Sequence, residues 1–339
     1  MTRDERVEWA SGVRVTTKET CLVLDPSRRG GFDRKTHRFI SHAHADHTQC
    51  FSTPGPKYAT KSTRMIYEGL HKRPIADLKE IRVKHPVKLD DVEVTPINAG
   101  HMLGSIQFKI ATPNKTLLYT GDLNCVDTLT TSRAENVECD MLLIEATFGK
   151  PYYIFPDREA TYAKIVDWAT QRAREGYIPT FHVYAAGKAQ EIVRLFNIYT
   201  RLPVVASPVV SAANEAYNRE GVKLSYEKSE LINEENSSHQ TPYVYVTTTS
   251  DSLVPEKSEK AVATGWALGY TTNRFASFPL SSHADFRQLV EFVRATKAKT
   301  VYVFTGFGDV FASYLQKKLE IDARALPSEI QKKLVEFKH

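Results

Sequence analysis

The run SHAHADH, Ser41 to His47, most constrains what this 339-residue chain can fold into. It places four metal-ligand side chains, His42, His44, Asp46 and His47, within six positions, directly after the apolar pair Phe39 and Ile40. Imidazoles and carboxylates suit zinc and similar divalent ions. On an extended strand His42 and His44 point to one side, because side chains alternate. The chain must then turn for Asp46 and His47 to approach from another direction. A strand ending in a tight loop therefore delivers two ligands to each of two adjacent metals. Chance gathering of histidines on a loop is the plain alternative, and His37 shows that the chain carries others. Neither packing nor solvation accounts for three histidines and an aspartate in this order.

The length suffices for one large or two ordinary domains with full cores. An apolar share of 42% and a charged share of 25% are those of a soluble globular protein. No apolar run reaches the roughly 18–20 residues of a membrane span. Met1 to Arg6 carries charge with no apolar signal core behind it, so a cytoplasmic location is expected. Cys21, Cys50, Cys125 and Cys139 form no C-x-x-C pair and read as free thiols of a reducing compartment. A net charge of +5 is compatible with a polyanionic partner without demonstrating one. Arg28, Arg29, Lys35 and Arg38 precede the histidine run, and Lys57, Lys61 and Arg64 follow it. Solvated surface is the ordinary reading for each, although their flanking position suits an anionic substrate.

Four apolar runs each end in a residue able to do chemistry. The strand from Arg38 feeds the histidine run; Val92 to Ile97 runs towards His101; Thr116 to Thr120 ends at Asp122; and Met141 to Ile144 ends at Glu145. Strand-end loops on a rigid sheet are where chemistry is usually placed. Two strands are expected over 12–24, and short helices or loops over 61–70 and 75–79. After residue 150 strands alternate with helices: a helix from about Pro156 to Arg174, a strand at Phe181, a helix from Gly187 to Phe196, strands at Val204 and Val244, and a polar loop near Glu234. That alternation implies an α/β unit with parallel strands.

His101 follows a strand between Gly100 and Gly104, which permit close backbone approach, and is the expected third imidazole. Asp122 fits a Gly-Asp turn, but a carboxylate can also bridge two cations. Ser282-x-x-Asp285 reads as a capping box, which puts His283 in a first helical turn beside N–H groups that favour phosphate. Lys188 opens a helix and either meets a phosphate or is solvated. Ser105, Ser281 and Ser282 complete the expected substrate contacts.

His42-x-His44-x-Asp46-His47 resembles the signature loop of the metallo-β-lactamase superfamily, and His101 and Asp122 match its later motifs. The resemblance implies one metal on His42, His44 and His101, a second on Asp46 and His47, and Asp122 between them. Zinc is the expected metal, with manganese the alternative. Glu145 to Gly149 (EATFG), Gly187 to Glu191 (GKAQE) and Ser281 to Asp285 (SSHAD) resemble motifs of the β-CASP, nucleic-acid-processing members. The nearest branch is that of ligase-associated DNA exonucleases and messenger-RNA 3′-end-processing-like proteins, through EATFG, Tyr152 to Asp157 and Ala263 to Ala267. One departure stands out. Thr305 occupies the place where many members carry a late histidine that completes the second metal site. The superfamily's crosslink-repair nucleases also lack it, so the second metal is expected to be weakly held.

The implied fold is a metallo-β-lactamase αββα sandwich with an inserted α/β β-CASP cap. The sandwich takes residues 1–150 and 265–339, and the cap 151–264. The implied activity is metal-dependent hydrolysis of phosphodiesters in single-stranded DNA or RNA, with a lean towards a DNA exonuclease. Asp46 orients the attacking water, His283 protonates the leaving oxygen, and Glu145 fixes a histidine tautomer. An RNA-processing nuclease is the alternative. A thioesterase or lactonase shares the histidine loop but has no use for EATFG or the late His283 motif. An inactive nucleic-acid-binding subunit is expected to have lost ligands, and only the Thr305 position departs.

Overall fold

The computed structural model describes residues 6–326 except 10, 28–32, 34, 230–241, 250, 252–253 and 270–273. Arg28 and Arg29, and the polar stretch near Glu234, lie outside the described residues.

A first sheet orders six strands as β1 (Arg6–Trp9), β2 (Val13–Thr16), β3 (Cys21–Leu24), β4 (His37–Phe39), β5 (Lys57–Thr60) and β6 (Leu78–Ile81). The pairing is antiparallel from β1 to β3 and parallel from β3 to β6. A second sheet begins with β7 (Val87–Leu89), β8 (Val92–Asn98), β9 (Ile106–Ala111), β10 (Thr116–Tyr119) and β11 (Met141–Ala146). It is completed beside β11 by two later strands, β18 (Thr300–Gly306) and β19 (Asp322–Ala325), both parallel to it in direction. Leu22, Leu24 and Phe39 of the first sheet meet Phe108, Tyr119 and Leu143 of the second in one buried core. Phe39 stacks on Tyr58 and turns an edge to Phe108, with ring centroids 4.5 and 5.3 Å apart. Such aromatic pairs exceed the value of their buried area by about 0.5–1.5 kcal/mol.

Helices cover both outer faces. Helix α1 (Lys61–His71) lays Tyr67 against Ala59 of β5, Ile40 just past β4 and Phe51 of the 3₁₀ turn Gln49–Ser52. Helices α5 (Phe286–Thr296) and α6 (Gly308–Leu319) lay Leu289, Val293, Phe311 and Leu315 against Leu142, Ile144, Val301 and Val303 of the second. Every residue of β11 is buried because helices pack on one of its faces and the other sheet on the opposite one, as its unbroken apolar run requires. This is the αββα sandwich.

The third sheet belongs to the insert. It orders β14 (Glu227–Lys228), β13 (Val204–Ala206), β15 (Val244–Thr247), β12 (Ile178–His182), β16 (Ser258–Ala263) and β17 (Ala276–Phe278), all pairs parallel. Helices α2 (Arg158–Arg174), α3 (Lys188–Tyr199) and α4 (Pro208–Arg219) bury Ile165, Ile192, Phe196 and Tyr217 around it. The insert leans on the sandwich through α1: a β-carbon on Gly69 would lie 3.0 Å from the Ala212 carbonyl of α4.

Two local expectations are corrected. The helix or loop expected over 75–79 is loop only to Asp77, and Leu78 opens edge strand β6, where Leu78 and Ile81 pair with β5. Beyond residue 264, β17 pairs with β16 and carries the third sheet to Phe278. The capping box of α5 belongs to Asp285 and Gln288, each side chain bonding the other's backbone N–H, at 2.8 and 3.1 Å. His283 therefore precedes the helix rather than opening it.

Candidate active site

The chain leaves β4 and turns at once, the His47 and Thr48 amides both donating to the His44 carbonyl at 3.1 Å. That turn lets four residues converge on ligands from two other strand ends, His101 after β8 and Asp122 after β10. His42 Nε2 and His101 Nε2 each lie 3.1 Å from His44 Nδ1. Asp122 Oδ2 lies 3.4 Å from His42 Nε2 and 3.6 Å from His101 Nε2. His42, His44, His101 and Asp122 thus offer four ligand atoms within 4.8 Å of one another. Beside them, His47 Nε2 lies 3.5 Å from both Asp46 Oδ2 and Asp122 Oδ1. Asp46 is the open member, its side chain 68% exposed. Three imidazoles and a carboxylate converging in this way are a donor set that could hold a divalent metal.

The nitrogen of each imidazole that faces away from the cluster is anchored. His42 Nδ1 meets Ser41 Oγ at 2.9 Å. His44 Nε2–H donates to the Ala186 carbonyl of the cap at 3.1 Å, and His101 Nδ1–H to the Ser282 carbonyl at 2.8 Å. Each tautomer is thereby set so that the inward nitrogen carries a lone pair. Burial holds His42 and His101 well below the usual histidine range, and holds His44 down to about 4. Neutral imidazoles are what a metal needs. Burial also disfavours charge on His47, but Asp122, Asp46 and Asp25 outweigh it and hold its pKa well above normal.

Asp25 is the residue that the sequence reading missed. It ends β3 with a left-handed φ of 47° and accepts four hydrogen bonds: from Ser41 N and Oγ, from His47 Nδ1 and from the Tyr119 hydroxyl, at 2.6–2.8 Å. Its signal was present: like the other chemistry-bearing residues, it directly follows a buried apolar strand.

Glu145 is fully buried at the end of β11 and accepts from His283 Nδ1–H at 2.8 Å, from Leu123 N–H and from Thr147 N–H. Its histidine partner is therefore His283, not His42, His44, His47 or His101, and Asp122, Glu145 and His283 form a second group whose ligand atoms lie within 4.8 Å of one another. His283 Nε2 points the other way, 3.9 Å from Asp122 Oδ2. Burial works against the imidazolium, but Glu145 and Asp122 overcome it and lift His283 to about 9. Thr305 is the cross-strand neighbour of Glu145 and lines the same cleft.

The expected substrate serines and lysine are otherwise employed. Ser105 is buried and accepts from the amides of His101 and Met102, so it braces the His101 loop. Ser281 Oγ closes a turn on the His283 amide at 2.9 Å, while Ser282 uses its carbonyl on His101. Lys188 lines the cleft, but its ammonium is buried against Glu191 at 2.7 Å. Glu191 also takes Arg158, whose Nη1 donates to the Ser281 carbonyl at 3.0 Å. This network ties α2 and α3 of the cap to the His283 loop.

His44, Asp46, His47, His101, Asp122, His283 and segments of both cap and core line one cleft of about 410 Å³, with His42 buried behind them. A cluster of metal-type side chains thus sits on strand-end loops at one edge of an αββα sandwich, roofed by an inserted α/β cap, where it could hold a metal ion. The family described as a beta-lactamase superfamily domain matches residues 25–182. The chain is 27% identical over 318 residues to a probable DNA ligase of Opitutus terrae, covering 86% of this chain and 30% of that one. It is 27% identical over 217 residues to an RNase J-like protein of Methanocaldococcus jannaschii, covering 55% and 49%. It is 26% identical over 299 residues to the 5′ exonuclease Apollo of Gallus gallus, covering 85% and 62%. The chain thus spans less than two thirds of each of these relatives. A crystal structure of a protein of unknown function from Enterococcus faecalis V583 shares the fold, with a TM-score of 0.62 at 15% identity over 87% of this chain and 91% of that one. No helix among the described residues is long and apolar enough to cross a membrane.

Proposed function

We propose that the chain is a metal-dependent nuclease that hydrolyses phosphodiester bonds of single-stranded nucleic acid, with a lean towards a DNA exonuclease of repair or processing. The observation that carries this reading is the His42–His44–His101–Asp122 cluster with the Glu145–His283 pair directly beside it, Asp122 standing within reach of both. His42, His44 and His101 would hold one metal and Asp46 and His47 a second, with Asp122 between them. Zinc is the first choice and manganese the second. Such ions lower the pKa of water and neutralise charge on a phosphodiester.

The chain's own groups do the rest. Asp46, open to the cleft, accepts a proton from the attacking water. Glu145 holds His283 with Nε2–H towards the cleft, where it donates to the leaving oxygen. His283 stands beside the metal-type ligands, its ring 4.5 Å from that of His101 and its Nε2 3.9 Å from Asp122 Oδ2. A cleft between cap and sandwich admits a threaded single strand more readily than a duplex. Thr305, where many relatives carry a histidine, favours the DNA branch and a weak second metal. The RNA-processing alternative draws on the RNase J-like relative. A cytoplasmic setting fits four cysteines that are all free.

The test uses one oligonucleotide sequence made as DNA and as RNA, each labelled at its 5′ or 3′ end. Purified protein and an Asp46→Ala control are run with zinc, manganese and magnesium. A DNA ladder absent from the control is expected and gives the polarity. Cleavage of RNA alone moves the chain to RNA processing. Cleavage of neither overturns the reading.

A further inference from the structure

Two large aromatic side chains line the cleft and keep part of their surface open to it. Tyr184 lies between β12 and α3, is 66% exposed and lines the cleft. Among the described residues its ring meets only one other, that of His44, with centroids 6.0 Å apart. Trp266 lies in the short 3₁₀ turn Gly265–Leu268, is 38% exposed and lines the same cleft. Its covered side rests on Phe148, Tyr153 and Phe307, at centroid distances of 4.8, 5.7 and 6.2 Å. A β-carbon on Gly265 would lie 2.5 Å from Phe148 Cζ, so glycine there is what lets the turn settle on this aromatic bed.

The two rings have different neighbours. Tyr184 adjoins His44 of the ligand cluster. Trp266 adjoins Phe148, whose ring is 6.0 Å from that of His283. An extended strand whose phosphodiester reaches His44 and His283 lies in the cleft that both rings line. Each base has a π-face, and stacking on aromatic side chains is the usual sequence-tolerant way to hold unpaired bases. Paired bases have both faces covered by their neighbours and must first be unstacked, at about a few kcal/mol.

We propose that Tyr184 and Trp266 stack the unpaired bases on the two sides of the phosphodiester in the cleft, Trp266 taking the base on the His283, leaving-oxygen side. This rests on the proposed function and adds which side chains select a single strand. It also predicts indifference to base identity.

The experiment uses an oligothymidylate with one cleavable phosphodiester among resistant phosphorothioates, and the same strand with an abasic residue on one side or the other. Parent, Tyr184→Ala, Trp266→Ala and the ring-keeping Tyr184→Phe and Trp266→Phe are compared by kcat/KM, with folding checked by melting. Each alanine variant should lose about tenfold or more on the base-bearing strand, from the usual worth of one stacked base. The loss for Trp266→Ala should vanish when the abasic residue is on the leaving side, and that for Tyr184→Ala when it is on the other. The phenylalanine variants should stay near the parent. Alanine variants that match the parent on base-bearing strands, or lose equally on abasic ones, overturn the stacking role. A parent that cuts neither strand overturns the proposed function and this inference with it; a parent that cuts both with unaffected variants overturns the inference alone.

Discussion

His283 Nδ1 lies 2.8 Å from Glu145 Oε1, although 138 residues separate the two in the chain. The pair is made by the fold: Glu145 ends β11 of the sandwich, and His283 lies in the loop that returns from the cap. Positioned proton transfer contributes about 10²–10⁴ to rate, so His283→Ala should lower kcat by that order. Metal content, measured by elemental analysis, should stay at the parent level, and metal loss would contradict the role. Glu145→Gln keeps an acceptor for His283 but turns an NH₂ group towards an amide N–H, and should cost about 10–100-fold.

Asp46→Ala should abolish turnover and leave the fold alone. Its carboxylate is largely exposed and meets only His47, at 3.5 Å, among the described residues. Exposed substitutions of this kind move stability by less than about 0.5 kcal/mol. Denaturant unfolding and the cleavage assay on the same sample check both halves; retained activity would sink the assigned role.

Asp25→Ala should act on the metal without touching it. Ser41 N–H and Oγ–H, His47 Nδ1–H and the buried Tyr119 hydroxyl all lose their acceptor. Each orphaned buried donor costs about 1–3 kcal/mol. Freed rotation of His47 should weaken metal affinity by about 10–100-fold, read by titration with a chelator. Unchanged affinity would show that the turn alone holds His47.

The metal ligands were legible because chemistry demanded several rare residues close together in sequence, and because each later ligand follows an apolar strand. Glu145 and His283 were legible as separate motifs, but the hydrogen bond joining them was not, since nothing local specifies a contact across 138 positions. Asp25 was missed because a lone aspartate after a strand looks like any turn residue. The bonding of Ser105 and Lys188 was not legible either. Both adjoin the site in sequence, and in the fold the hydroxyl and the ammonium bond inward to His101, Met102 and Glu191. Strand β17, which carries the third sheet past residue 264, is only three residues long and declares itself solely by pairing with β16.

Thr305→His should raise bound metal. Thr305 sits beside Glu145 at the end of β18 and lines the cleft, but its hydroxyl is a poor zinc ligand. An imidazole there gives the Asp46, His47 and Asp122 side of the site a further donor. After dialysis against trace zinc, metal per chain should rise from near one towards two. An unchanged ratio would show that this side does not depend on the missing histidine.

The buried Glu191 makes the cap's hold on the His283 loop acid-labile. Burial pushes its carboxyl up, but Arg158 and Lys188 pull harder and hold it down to about 2, from an ordinary 4.5. Between those values the unfolded chain binds a proton that the folded chain does not, so stability falls as pH drops through the window. The contribution at stake is on the order of 3 kcal/mol. Lys188 does not offset it there: burial lowers its ammonium to about 8, so it is charged in both states throughout the acid range. Glu191→Gln should therefore show a flatter loss of unfolding free energy between about pH 5 and pH 2. At neutral pH the same variant should be weaker by about 3–5 kcal/mol, because Arg158 and Lys188 stay buried without their counter-charge. Denaturant unfolding of parent and variant across pH isolates this residue, since every other acid-sensitive group is shared. Parallel curves would mean that the Glu191 network does not set the acid limit.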